Sequence, residues 1–210
     1  MTSGSTTLNR STRLVLTDIP DSWAWIRTDL LVRIAPFVVA FAIAYGLVPR
    51  RAAFGLSAGW LGVQLLFAAV AVPMMFGAAV WVQLQLTRRR GALSVPANSR
   101  DAWFQAGFYA VNGPVEEAFF RGLIQGGLGL LWGAPAGFAI ATLIYVFYHR
   151  LGRWTWSDTF ATALVGVPLG LAFWLLPGPP SLLGVSIAHI AATCGFLGPG
   201  PYLLKRLNLV

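Results

Sequence analysis

Apolar residues along this chain come in long blocks rather than at helical or strand spacing. Six blocks, at approximately 30–48, 60–86, 102–128, 132–149, 159–176 and 182–203, are separated by short polar or glycine- and proline-rich stretches. A helix crossing a hydrocarbon core of about 30 Å takes roughly 20 residues, and these blocks are of that order. Barrel strands would instead alternate over about ten residues. The pattern therefore predicts an all-α, polytopic membrane helix bundle of about six transmembrane helices. The run 52–86 carries no charge and is too long for one perpendicular span. Gly55 and Gly59 near its start predict an interfacial lead-in over 52–59, followed by a helix from about Trp60 that Pro73 kinks. The polar stretch 88–101 divides the two halves. Beyond it, small-xxx-small pairs (Gly122/Gly126, Gly133/Gly137, Gly166/Gly170) predict close approach of helix backbones. The chain has no visible internal repeat, which counts against the inverted-repeat build of many transporters.

Composition agrees. Hydrophobic residues make up 57% and charged residues 10%, against about 25% charged in a soluble domain. That leaves too little polar surface to coat a globule. The single cysteine, Cys194, excludes a disulfide framework and a cysteine-based metal site, and reads as a small buried hydrophobe.

The net charge of +8 changes the picture only through its placement. One side of the predicted bundle receives Arg10, Arg13, Arg27, Arg88, Arg89, Arg90, Arg100, Arg150, Arg153, Lys205 and Arg206, eleven in all, while the other receives Arg50 and Arg51. The positive-inside rule then places both termini in the cytoplasm, with the plasma membrane as the expected location. Trp81, Trp103, Trp154 and Trp156 fall near one set of ends and Trp60, Trp132 and Trp174 near the other, as interfacial belts require. The basic excess reads as topology and anionic-lipid contact, not as a nucleic-acid footprint. No secretory signal is legible in the polar residues 1–12, which are expected to be disordered. Residues 13–29, with Trp23 and Trp25, are expected at the cytoplasmic interface. The expected organisation is thus a tail and interfacial segment over 1–29 and a single transmembrane domain over 30–204.

Candidate chemistry concentrates in the second half. The only two glutamates, Glu116 and Glu117, sit in a stretch from Trp103 to Leu131 whose one other charge is Arg121. A charge at mid-membrane depth costs roughly 3 kcal/mol on insertion scales, so three within six residues read as a functional site. On a helix Glu117 and Arg121 are i and i+4 and can pair. Glu116 points about 100° away, on the face of Asn112. This predicts a paired, structural Glu117 and an unpaired, reactive Glu116. Pro114 frees the carbonyl of Ala110, which suits a helix bent around a polar cavity.

Two further elements follow, Tyr145-x-x-x-His149 and His189-x-x-x-Thr193. Each alone has a plainer reading. His149, followed by Arg150, reads equally as an interfacial residue, and His189 with Thr193 as a helix-to-helix hydrogen bond. Their weight comes from occurring together with both glutamates. The residues alone leave open an ion-paired patch that merely holds helices together, a proton- or ion-coupled transporter, and an inactive peptide-binding scaffold.

The pattern EEAFFRG over 116–122, then an aromatic-xxx-His at Tyr145–His149, then His189-xxx-Thr193 resembles the CAAX protease and bacteriocin-processing enzyme family, the CPBP or Abi proteins. These are intramembrane endopeptidases grouped with the type II CAAX prenyl proteases. The resemblance covers about 100–200. It implies hydrolysis of a peptide bond in a membrane-associated protein or peptide, within a cavity inside the membrane. By that resemblance Glu116 is the general base on the attacking water, assisted by His149, while His189 and Thr193 stabilise the oxyanion. Glu117, Arg121, Asn112 and Tyr145 support the site. Thr193 departs from the asparagine commonest at its position, and its hydroxyl donates with shorter reach.

The family is often described as metalloproteases. Glu116, His149 and His189 are candidates for a two-histidine, one-carboxylate zinc site with an open water position. The HExxH helix of zincins is absent, and the same residues suffice for a glutamate-activated water without metal. Both stay open. The simple spans set Glu116 near mid-depth, His149 near the cytoplasmic end and His189 nearer the other side. For all four residues to line one cavity, as hydrolysis demands, the helices must tilt or break, or the span boundaries must lie several residues from those given.

Overall fold

A computed structural model describes residues 15–19, 22–152 and 154–210. The expected disorder over 1–12 and the topology residues Arg10, Arg13 and Arg153 lie outside the described residues.

Seven helices account for most of the described chain: α1 (Ser22–Leu47), α2 (Leu61–Arg90), α3 (99–132), α4 (Ala134–Tyr148), α5 (Trp156–Leu175), α6 (Leu183–Phe196) and α7 (Pro199–Arg206). Local chemistry sets the boundaries. Asn98 caps α3 by accepting from the Asp101 amide, and Thr155 caps α5 by accepting from Asp158. The α2 helix ends at Gly91 in the left-handed region. Helix α2 runs through Pro73 as one helix. By length and composition α1, α2 and α5 suffice to cross a membrane, and α6 with α7, bent by 42° across a short break, qualify as a fourth. The long, charged α3 and the fifteen-residue α4 do not meet that test.

The surface is apolar, and the interior combines apolar clusters with an unusual set of buried polar side chains. Val32, Val39, Ile43, Leu66 and Met74 are exposed on α1 and α2, whereas Gln64, Gln105, Asn112, Glu116, Glu117, Arg121 and His189 are buried. This is an integral membrane protein of the all-α bundle type.

Two connections differ from expectation. The expected interfacial segment 13–29 contains a strand that the pattern did not predict: Val15–Ile19 (β1) pairs in parallel with Ala92–Pro96 (β2), Val15 opposite Ala92 through Ile19 opposite Pro96, and α1 begins at Ser22. The polar divider 88–101 therefore contributes a strand as well as a turn. Nor does the lead-in 52–59 simply lie along an interface. Phe54 is buried, Leu56 forms an antiparallel bridge with Ser181, and the Leu182 amide donates to the Gly55 carbonyl. This folded-in pair of loops closes one end of the bundle, and α6 starts from it. The other end carries the two strands, α7 and the Arg90–Asp158 ion pair.

Candidate active site

The α3 helix is one continuous rod in three stretches: α-helical Ser99–Glu117, π-helical Ala118–Gly126 and α-helical Gly127–Trp132. Glu116 and Glu117 end the first stretch, and Arg121 lies in the second. A second π-helical stretch, Leu30–Ile34 in α1, carries Arg33. Both departures from α-geometry thus carry an arginine that pairs with one of the two glutamates, Arg121 fully buried and Arg33 half-buried.

Glu116 and His149 reach one cavity for a countable reason. The chain reverses at Gly133, and α4 packs antiparallel against the π-helical stretch. Glu117 lies sixteen residues before that turn and His149 sixteen after it. With equal residue counts the two come roughly level, the π-helical stretch making the first arm somewhat shorter than an α-helix of about 1.5 Å per residue. The intervening pairs agree: Phe120 meets Tyr145 edge to face at 5.2 Å, and Arg121 lies 5.0 Å from the centre of the same ring. Span 102–128 stops four residues short of the helix end and so misplaces Glu116. His189 is brought in from the other direction by the folded-in loops that start α6.

Close approach of α3 to α6 depends on Gly113. A Cβ there would come within 2.9 Å of Ile190 Cγ1 and 3.3 Å of its backbone nitrogen. Ile190 adjoins His189, so the absent side chain brings that histidine against the glutamates. Gly166 of α5 plays the same part behind Tyr145, whose ring a Cβ would meet at 2.7 Å.

His189 bridges the two carboxylates. Its Nδ1 donates to Glu117 Oε1 at 2.7 Å, and its Nε2 lies 3.4 Å from Glu116 Oε2. Glu117 also pairs with Arg121, Nε to Oε2 3.4 Å, both fully buried. The expected partnership of Glu117 and Arg121 is therefore present, with His189 added. Glu116, in contrast, is not unpaired. Arg33 donates to its Oε1, and Arg33 is itself held by Asp29 one turn earlier, Nε to Oδ1 2.8 Å. Sequence reasoning did not weigh Arg33. An arginine four residues after an aspartate at the edge of an apolar block was the available signal.

His149 Nδ1 donates to the Tyr145 carbonyl at 2.7 Å, which in the neutral ring leaves Nε2 as an acceptor. Tyr145 stands between the histidines, 4.7 Å from the His149 ring and 6.0 Å from the His189 ring. Glu116, His149, His189 and Thr193 all line one cavity of about 770 Å³, together with Arg33, Asn112 and Tyr145. Glu117 and Arg121 lie behind its wall.

The zinc alternative fits this arrangement poorly. Both nitrogens of His189 face carboxylates and Glu116 is bound to Arg33. Among the described residues no group of three or more His, Cys, Asp or Glu is placed to hold a metal ion. What the cavity does offer is a carboxylate, an accepting imidazole, and an imidazole and hydroxyl one helical turn apart, around space for a peptide.

No curated protein and no solved structure matches the chain. A family model described as type II CAAX prenyl endopeptidase Rce1-like matches residues 98–194, from the start of α3 through the last turns of α6. The stretch that carries Glu116, His149, His189 and Thr193 is therefore a domain of the Rce1-like type II CAAX prenyl endopeptidase family.

Proposed function

We propose that this protein is an intramembrane endopeptidase in which Glu116 activates a water against a peptide bond of a membrane-anchored protein or peptide. The observation that carries the reading is the convergence of Glu116, His149, His189 and Thr193 on one cavity. Water between Glu116 and the accepting Nε2 of His149 loses a proton to the carboxylate as its oxygen adds to the scissile carbonyl. The developing oxyanion meets the Thr193 hydroxyl and the Nε2–H of His189 in its imidazolium form, in which Nδ1 and Nε2 both donate. Glu116 then returns the proton to the departing amine, giving one new carboxyl and one new amino terminus. Glu117 positions His189 through Nδ1, and Arg121 with Tyr145 fixes Glu117. A metal is not needed for any of these steps.

The test is a membrane-anchored peptide presented to the purified protein in liposomes. A new peptide terminus appears with wild type and not with Glu116→Gln; equal product from both defeats the reading. Cleavage that survives exhaustive chelation supports the metal-free route, and loss restored by zinc overturns it. We further propose that both termini face the cytoplasm at the plasma membrane. Cysteines introduced in 88–100 and 177–181 then label from opposite sides, and labelling from one side defeats that orientation.

A further inference from the structure

Resting on the peptidase reading of this cavity, the geometry points to Arg33 as the residue that receives the carboxyl terminus of the substrate chain and, in doing so, releases Glu116. The argument is one of charge. Asp29, Glu116 and Asp158 give the cavity three carboxylates, and Arg33 is the one lysine or arginine among the described residues that line it. Asp158 is already neutralised by Arg90 and shares a hydrogen bond with Thr155. Arg121 is enclosed behind the wall and out of reach. An anionic group entering the cavity therefore has Arg33 as its counter-charge.

Arg33 is built for such an exchange. Asp29 grips the guanidinium through Nε and Nη2, and this fixes its plane. Glu116 is reached through Nη1 alone. An end-on contact of that kind is open to competition, whereas the two-point grip of Asp29 persists, and planar bidentate recognition of a carboxylate is what a guanidinium does best. While Nη1 holds Glu116, a lone pair needed to take a proton from water is engaged. A substrate carboxylate drawing Nη1 away restores it. The CAAX motif of the matched family sits at a chain terminus, so the group exchanged is the α-carboxylate of the substrate. Arg33 itself lies in α1, outside residues 98–194.

The experiment uses the full chain in lipid nanodiscs and one dye-labelled, N-palmitoylated peptide made as the free acid and as the C-terminal amide. Wild type binds the acid about tenfold more tightly than the amide. Arg33→Gln abolishes that preference and Arg33→Lys keeps part of it. Glu116→Gln, by removing the competing carboxylate, tightens the acid several-fold and leaves the amide unchanged. Equal binding of acid and amide to wild type overturns the proposal, as does a preference that survives Arg33→Gln. If Arg33→Gln does not fold, the Glu116→Gln arm decides, and an unchanged acid-to-amide ratio overturns it. Cleavage of both peptides without preference rejects the role of Arg33 and keeps the peptidase. Acid-selective binding with no new terminus from either peptide rejects the peptidase and keeps the anion site.

Discussion

Glu116 and Glu117 are neighbours in sequence and opposites in surroundings. Glu117 faces away from the cavity, sealed by Arg121, Tyr145 and His189 at distances fixed by three helices. Glu116 faces into the cavity, where its cation arrives from a different helix and keeps a second anion of its own. A rotation of about 100° along one helix separates a carboxylate that holds the bundle together from one that can exchange partners. Burial alone does not distinguish them, since both are nearly inaccessible, and each meets one arginine and His189; what differs is that the arginine of Glu116 lines the cavity and is shared with Asp29.

The largest expected effect is on catalysis. Glu116→Gln should lower the rate of peptide cleavage by about 10³-fold or more, as loss of a general base together with its water would, with a melting temperature close to wild type because Arg33 retains Asp29. A matching collapse in thermal stability would erase the contrast. On the sealed side the order reverses. Arg121→Leu or Glu117→Gln strands a buried partner and should cost about 3–5 kcal/mol of stability, read as early melting in detergent or poor recovery from membranes. Normal melting with lost activity would move Glu117 to the reactive side.

Thr193→Val tests the far wall of the cavity. Removing one oxyanion donor should lower turnover by about 10²-fold with unchanged melting, and Thr193→Asn should restore it. Retained activity in Thr193→Val would leave His189 as the sufficient donor. The smallest effect concerns the glycine that joins the two regions. Gly113→Ala inserts a methyl against the Ile190 backbone and should cost about 1–3 kcal/mol as overpacking, with activity falling alongside because His189 moves with Ile190. A neutral result in both readouts would mean that α3 and α6 tolerate a wider spacing.

Much of this was legible in the chain. Long apolar blocks locate the helices because lipid demands them, and the Glu117–Arg121 pair follows from helical spacing alone. Three features were not legible, each because it depends on a contact between distant segments. Arg33 meets Glu116 across 83 positions, and no local pattern marks that meeting. The strand pairing of Val15–Ile19 with Ala92–Pro96 depends on which polar connections lie at the same end. The apparent mismatch in depth arose from treating spans as independent rods, whereas α3 and α4 form a hairpin about Gly133 and the block 182–203 divides into two helices bent by 42°.

The equal arms on either side of Gly133 make the hairpin of α3 and α4 a measuring device as well as a scaffold. Its two limbs run from one corner, and the His149 imidazole sits at the tip of α4, level with the glutamates partway along the longer α3. Deleting one residue within 134–148 would retract that tip by about 1.5 Å and swing it through about 100°, carrying His149 off the wall that Glu116 faces. The same deletion beyond Gly152 would only shorten the connection to α5. The length of α4 is thus as much a part of the chemistry as the identity of the residue at its end.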